Sequence, residues 1–252
     1  DYFSGESKYR NLEEYLSLWE WDDDSHRIAL ESSVSYTKVP FITGVPARIQ
    51  ESSMGEYRFI YMLRNPLRRI ESQVRHGVFA GWGKSLDEEL TRDLVEFSRY
   101  AMQLDEYLKF FPKEQIFVLT LEQFQEDPCK VLKSLCRFLE VDEDFVFTYV
   151  HDPRKSGTVF NTPPLVAKVT QGRFSQFVAG KILPSSLKRH IRNIIAKLQR
   201  QENAQQKGSR WTLNAHEQSY ILNELKDDLS RLRSEYNVDV QRHWNIPNDF
   251  AE

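Results

Sequence analysis

The sequence predicts an α/β fold, with a central parallel sheet flanked by helices and a helical C-terminal third. Three observations carry that prediction. Aliphatic and aromatic runs of strand length recur, and each leads through a polar loop into a helical pattern. Strands that alternate with helices pair in parallel and are covered by helical layers. Beyond residue 186 the apolar periodicity is helical only.

Taken in order, Ile28-Ala29-Leu30 reads as the first strand, followed by the polar Glu31-Ser32-Ser33 and a short helix after Pro46. Residues 58–63 read as the second strand and run directly into Arg64-Asn65-Pro66. Ile116-Phe117-Val118-Leu119-Thr120 reads as the third, with Asp127-Pro128 soon after. Asn65 and Asp127 each precede a proline, so each is placed to cap a helix that opens on that proline. Between the second and third strands, Leu90, Leu94, Phe97, Ala101, Leu104 and Leu108 predict one long helix that stops before Pro112. Leu187, Ile191, Ile194, Ile195 and Leu198 predict another, and residues 201–210 a polar linker. Asn214 with Glu217 predicts a capping box at the head of a helix carrying Ile221, Leu222, Leu225, Leu229 and Leu232. Residues 152–172, rich in Pro, Gly, Ser and Thr, are the long irregular segment, of the kind that forms lids. The expected organisation is one domain over 1–252, with a core at 1–150, a flap at 151–172 and a helical part at 173–252.

Composition excludes several function classes. With 34 Lys and Arg against 37 Asp and Glu, the net charge is −3, which argues against a general nucleic-acid binder. Apolar runs fall far short of the ~20 residues a membrane helix needs. Two cysteines, Cys129 and Cys136, build no disulfide framework and point to a reducing, cytoplasmic setting. Both fall in a helical pattern expected to face the core. His26, His151, His190, His216 and His243 show no metal-ligand spacing, so no metal is expected. The oligomeric state is left open.

The chemistry concentrates in residues 58–76. Arg58, Arg64, Arg68, Arg69, Arg75 and His76 face a single acid, Glu71. Arg64 ends a strand where a helix begins, and free N–H groups and the helix dipole favour an anion there. Arginine adds a fork that matches phosphate oxygens. Arg68, Ser72 and His76 form a separate helical stripe. The competing reading is an arginine-rich solvated face.

The run from Phe59 through Arg64-Asn65-Pro66 to Ser72 resembles the 3′-phosphate-binding strand and helix of sulfotransferases, which use 3′-phosphoadenosine 5′-phosphosulfate (PAPS) as donor. Asp1-Tyr2-Phe3-Ser4 is similar to the end of that family's Lys-Glu-x-x-Tyr-Phe segment. Phe111-Pro112 through Glu122 and Asp127-Pro128 to Phe138-Leu139 resembles its third βα unit, and Leu225 and Asp228 through Trp244 its closing helix. The resemblance implies a P-loop-NTPase-like fold and sulfuryl transfer to an acceptor hydroxyl, less readily to an amine. The acceptor could be a glycan, a lipid, a small metabolite or a carrier-bound acyl chain. It implies that Arg64 and Ser72 bind the donor's 3′-phosphate and that Arg154, Lys155 and Gly157 belong to a flap over it. The family's Gly-x-x-Lys-[Ser/Ala/Thr]-Gly-Thr-Thr loop and catalytic Lys-Glu pair would fall just before Asp1, so the expectation is a trimmed chain whose base lies upstream. Within the chain, Asp1 and His76 are the candidate catalytic residues, and Glu31, Ser33, Tyr36 and His76 the candidate acceptor-binding ones. Lys155-Ser156-Gly157-Thr158 mimics the phosphate loop, but Asn161-Thr162-Pro163-Pro164 interrupts the helix such a loop requires. The rival readings are a non-catalytic sulfotransferase-like binding module and a nucleotide-dependent kinase.

Overall fold

A computed structural model of the chain describes residues 1–5, 9, 11–79, 88–147 and 212–250. The chain divides into two compact units: Asp1–Pro66, Arg92–Val150 and Ser219–Glu252 form one, and Leu67–Thr91 with His151–Gln218 the other.

In the first unit, β1 (Phe59–Leu63) pairs in parallel with β2 (Ile116–Thr120), Phe59 opposite Ile116 and Leu63 opposite Thr120. The parallel α/β expectation therefore holds, and β2 has the predicted bounds. Helices α1 (Leu12–Leu16) and α2 (Val45–Ser52) precede β1; α3 (Pro66–Phe79), α4 (Glu88–Glu96) and α5 (Tyr100–Leu108) lie between the strands. After β2 come α6 (Leu121–Glu126), α7 (Pro128–Phe138), α8 (Ala215–Tyr236) and α9 (Val240–Trp244).

Local sequence explains several of these starts. Thr120 and Gln123 form a capping box that turns β2 directly into α6, with Gln123 N–H donating to Thr120 Oγ1 at 3.0 Å. Asp127 accepts from Lys130 N–H at 3.0 Å, and Pro128 opens α7 as expected. The Asn214–Glu217 box also forms, with its reciprocal bonds at 2.9 and 2.7 Å. Gly44 caps α2 at φ 72°, a left-handed conformation that suits glycine.

The core of the first unit buries Phe3, Tyr15, Val45, Ile49, Tyr107 and Phe111, with Phe59 and Ile116 of the two strands packed against them. Helix α8 is anchored by Ile221, Leu225, Leu229 and Leu232, all fully buried. Each such side chain stabilises by about 1.5–3 kcal/mol relative to exposure. In the second unit Ile70 and Val74 are buried. There Glu71, only 3% exposed, accepts from Arg68 Nη1 at 2.9 Å and Leu213 N–H at 3.2 Å.

Three expectations are corrected. Ile28-Ala29-Leu30 is not a strand; Ile28 and Leu30 are exposed, so this apolar run has no sheet to join. The long helix of residues 90–108 is broken at 97–99 into α4 and α5. The break exposes the first-turn N–H groups of α5, which Asp228 of α8 captures from Ala101 and Met102, both at 3.0 Å. Cys136 is buried as expected, but Cys129, in the first turn of α7, is exposed. The expected helix at 187–198, the linker at 201–210 and the flap at 151–172 lie outside the described residues.

Candidate functional site

Two polar constellations of the first unit contain sequence-predicted residues. The first is the strand-to-helix junction at Arg64. Parallel pairing in register ends β1 and β2 side by side, so residue 65 and the first turn of α6 meet. Asn65 N–H donates to Glu122 Oε1 at 3.1 Å, and the Asn65 side-chain amide donates to the Trp244 carbonyl at 2.9 Å. Trp244, 5% exposed, returns its indole N–H to Glu122 Oε2 at 2.9 Å. Tyr100, also buried, donates its hydroxyl to the Arg64 carbonyl at 2.8 Å. The backbone of the junction is thus held by two helices, α5 and α6, and the Asn65 side chain by a third, α9. Arg64 itself is half-buried, and no hydrogen bond or ion pair engages its guanidinium among the described residues.

Not every arginine of the cationic stretch shares that character. Arg58 is tied to Glu140 at 2.7 Å, to Glu56 at 3.0 Å and to the Phe138 carbonyl, and it stacks over the Phe138 ring. Both carboxylates and those bonds hold its guanidinium above the ordinary range, so Arg58 ties the strand start to the end of α7. Arg68 pairs with Glu71. Ser72 is half-buried in α3. The side chain of His76 and the flap candidates Arg154, Lys155 and Gly157 lie outside the described residues.

The second constellation brings Asp1 together with Glu31, Ser33 and Tyr36, candidates some thirty positions further along the chain. Glu31 accepts from the hydroxyl of Tyr36 at 2.6 Å through Oε1 and from the hydroxyl of Tyr15 through Oε2. Tyr36 in turn accepts from Phe3 N–H at 3.1 Å. Ser33 donates to the Asp1 carboxylate and accepts from Ser35 N–H at 3.1 Å. Burial, and then the hydrogen bond to Glu31, pushes both phenols well above their usual 10.0, so Tyr15 and Tyr36 stay protonated donors. Aromatic rings wall the group: Tyr2 stacks on Tyr15 with centroids 4.4 Å apart, and Phe3 and Trp19 meet Tyr15 edge-on. The sequence placed Glu31 at a strand end aimed into a cleft; in the structure its carboxylate is committed to two tyrosines. Tyr15 was missed, because nothing local marks it.

A cavity of about 310 Å³ lies elsewhere in this unit, lined by Phe117, Leu119, Asp127, Lys130, Arg242 and His243 among others; among the described residues, none of the predicted site residues borders it. Among the described residues no group of three or more His, Cys, Asp or Glu is arranged to hold a metal ion, and no helix is long and apolar enough to cross a membrane.

The family comparison agrees with the resemblance at residues 59–72. The chain is 24% identical over 163 residues to bifunctional heparan sulfate N-deacetylase/N-sulfotransferase 1 of Caenorhabditis briggsae. That match covers 56% of this chain and 18% of the relative, so the chain spans under a fifth of that protein's length. A crystal structure of a sulfotransferase from Alicyclobacillus acidocaldarius aligns with a TM-score of 0.45 and 27% identity, over 68% of this chain and 69% of that one. The sulfotransferase domain pattern matches residues 40–182, more than half of the sequence and a span that includes β1, Arg64, Ser72, β2 and Glu122. The α/β chain belongs to the sulfotransferase domain family.

Proposed function

We propose that this chain is a PAPS-dependent sulfotransferase that moves a sulfuryl group to an acceptor hydroxyl. The observation that carries the reading is Arg64. It is a cation at the C-terminal end of a parallel strand, with its backbone fixed and its guanidinium without a partner among the described residues. The proposed role is to bind the donor's 3′-phosphate through charge-assisted hydrogen bonds; Ser72 is proposed as a second donor on the family resemblance alone. Arg154, Lys155 and Gly157 are proposed, on the family resemblance alone, as a flap over the same phosphate.

Sulfuryl transfer parallels phosphoryl transfer in its demands: acceptor and donor in line, and charge on the transferring and leaving oxygens stabilised. Binding the remote 3′-phosphate supplies orientation at the bond that breaks. Glu31, Ser33 and Tyr36 are proposed to line the acceptor side, with Glu31 fixing the phenols of Tyr15 and Tyr36 and the aromatic rings beside them offering apolar faces to an acceptor. Asp1 and His76 are proposed as the general-base candidates within the chain.

Calorimetry with 3′-phosphoadenosine 5′-phosphate tests the donor site. Arg64→Ala should weaken binding by about 2–4 kcal/mol, while adenosine 5′-phosphosulfate, which lacks the 3′-phosphate, should be nearly unaffected. Equal loss for both nucleotides would show that Arg64 does not read the 3′-phosphate. Labelled donor offered with alcohol and amine acceptors tests transfer. The amine arm is included because the nematode relative is named an N-sulfotransferase. Nucleotide binding by the full-length protein with no transfer to any acceptor would favour the binding-module reading.

A further inference from the structure

We infer that Glu122 and Tyr100 are positioning residues for Arg64, acting through the single peptide unit that joins Arg64 to Asn65. The inference rests on the reading of Arg64 as the phosphate-binding cation. The carbonyl of that peptide accepts from Tyr100 hydroxyl at 2.8 Å, and its N–H donates to Glu122 Oε1 at 3.1 Å. Both polar ends of one peptide plane are therefore fixed, by side chains from two different helices. Turning that plane about the axis joining the two Cα atoms requires coupled changes in ψ of Arg64 and φ of Asn65 and tilts the Cα–Cβ bond of Arg64, so fixing the plane fixes the root of its side chain.

The holders are themselves held. Glu122 spends its second oxygen on the Trp244 indole, and Trp244 closes the loop by accepting from the Asn65 amide with its carbonyl. Tyr100 is 2% exposed, packs near the Tyr61 ring at 6.0 Å and near Trp244 at 6.0 Å, and so has little freedom to swing away. Glu122 is placed by the Thr120 capping box, which follows the last paired residue of β2. A long arginine loses rotamer entropy when it binds, so a fixed root lowers what remains to be ordered. A network built only for stability could satisfy these backbone groups with water at the rim; here a carboxylate and a buried phenol are used on the one peptide beside a cation with no partner among the described residues.

The test is a double-mutant cycle on the full chain, read by calorimetry with 3′-phosphoadenosine 5′-phosphate and with adenosine 5′-phosphosulfate. Glu122→Gln and Tyr100→Phe should each weaken the first nucleotide on the order of tenfold, a coupling typical of residues in one network, and leave the second unchanged. In an Arg64→Ala background neither should weaken it further. Tyr100→Phe removes one oxygen and keeps the ring, so it carries the test if Glu122→Gln does not fold. Two outcomes overturn the inference: unchanged affinity in both variants while Arg64→Ala weakens binding, or equal weakening with and without Arg64. If Arg64→Ala has no effect at all, the donor-site reading fails instead. The positioning claim is then judged by the Arg64 Nε–H nuclear magnetic resonance signal, which must shift in Tyr100→Phe and Glu122→Gln; an unmoved signal overturns it.

Discussion

Replacing Asp228 by Ala should cost about 2–4 kcal/mol of stability, and the loss should depend on pH in a defined direction. Asp228 is 6% exposed and uses Oδ2 for Ala101 N–H and Oδ1 for Met102 N–H, both at 3.0 Å. Ala101 is itself fully buried, so removing the carboxylate strands helix-end donors away from water. Two hydrogen bonds to a charged acceptor are worth roughly 1.5–3 kcal/mol each, and the cost of burying the carboxylate offsets part of that sum. Burial pushes the Asp228 carboxyl above its ordinary 3.8, against the opposing pull of the two N–H groups, Arg99 and Arg231. The folded state therefore holds the proton more tightly than the unfolded chain. The contribution of Asp228 is fully present below 3.8 and declines as pH rises through the raised folded value. Urea unfolding followed by tryptophan fluorescence, at several pH values from about 4 upward, should show the wild-type advantage narrowing with rising pH. A loss below about 1 kcal/mol, or an advantage that widens with pH, would refute the assignment of Asp228 as the cap of α5.

Two further outcomes follow from the first unit. Gly44→Ala should lower stability by about 1–2 kcal/mol, because φ is 72° and the new methyl would sit 2.9 Å from Arg48 Nη1, a side chain bonded to the carbonyls of Phe3 and Thr43; an unchanged thermal midpoint would contradict it. In Glu31→Gln, the phenols of Tyr15 and Tyr36 should ionise at lower pH than in the wild type yet still above 10.0, because burial outweighs the lost carboxylate. Ultraviolet difference titration reads this directly, and phenols unmoved by the change would place Glu31 outside their network.

Much of the fold was legible because its signals are local. Both paired strands are continuous apolar runs, and the caps at Asp127 and Asn214 lie three residues from their partners. The errors share a cause. Ile28-Ala29-Leu30 has strand composition, but pairing is decided by a neighbour that short-range pattern does not contain. Residues 90–108 keep helical periodicity across Phe97, Ser98 and Arg99, and the break depends on Asp228, whose bonds reach back 127 and 126 positions. The site divides in the same way. Arg64 was visible as a charge at a strand end, whereas Glu122, Tyr100 and Trp244 reach it or its neighbour across 57, 36 and 179 positions. Arg58 looked like part of the same charge and is instead spent on Glu56, Glu140 and Phe138. Composition counts arginines; only geometry tells which ones are already taken.

The in-register pairing of Leu63 with Thr120 makes the sheet a ruler for where length can change. A residue added before Phe59, or in the turn Lys113–Gln115 ahead of β2, can be absorbed by the connection it enters. One residue added between Phe59 and Arg64 has no such outlet. It advances the junction by about 3.3 Å along the strand and turns every following side chain to the opposite face. Asn65 would then pass Glu122, and Arg64 would leave the sheet on its other side. Loop length can thus change around the sheet, whereas the spans 59–65 and 116–122 must keep their count for the junction to form.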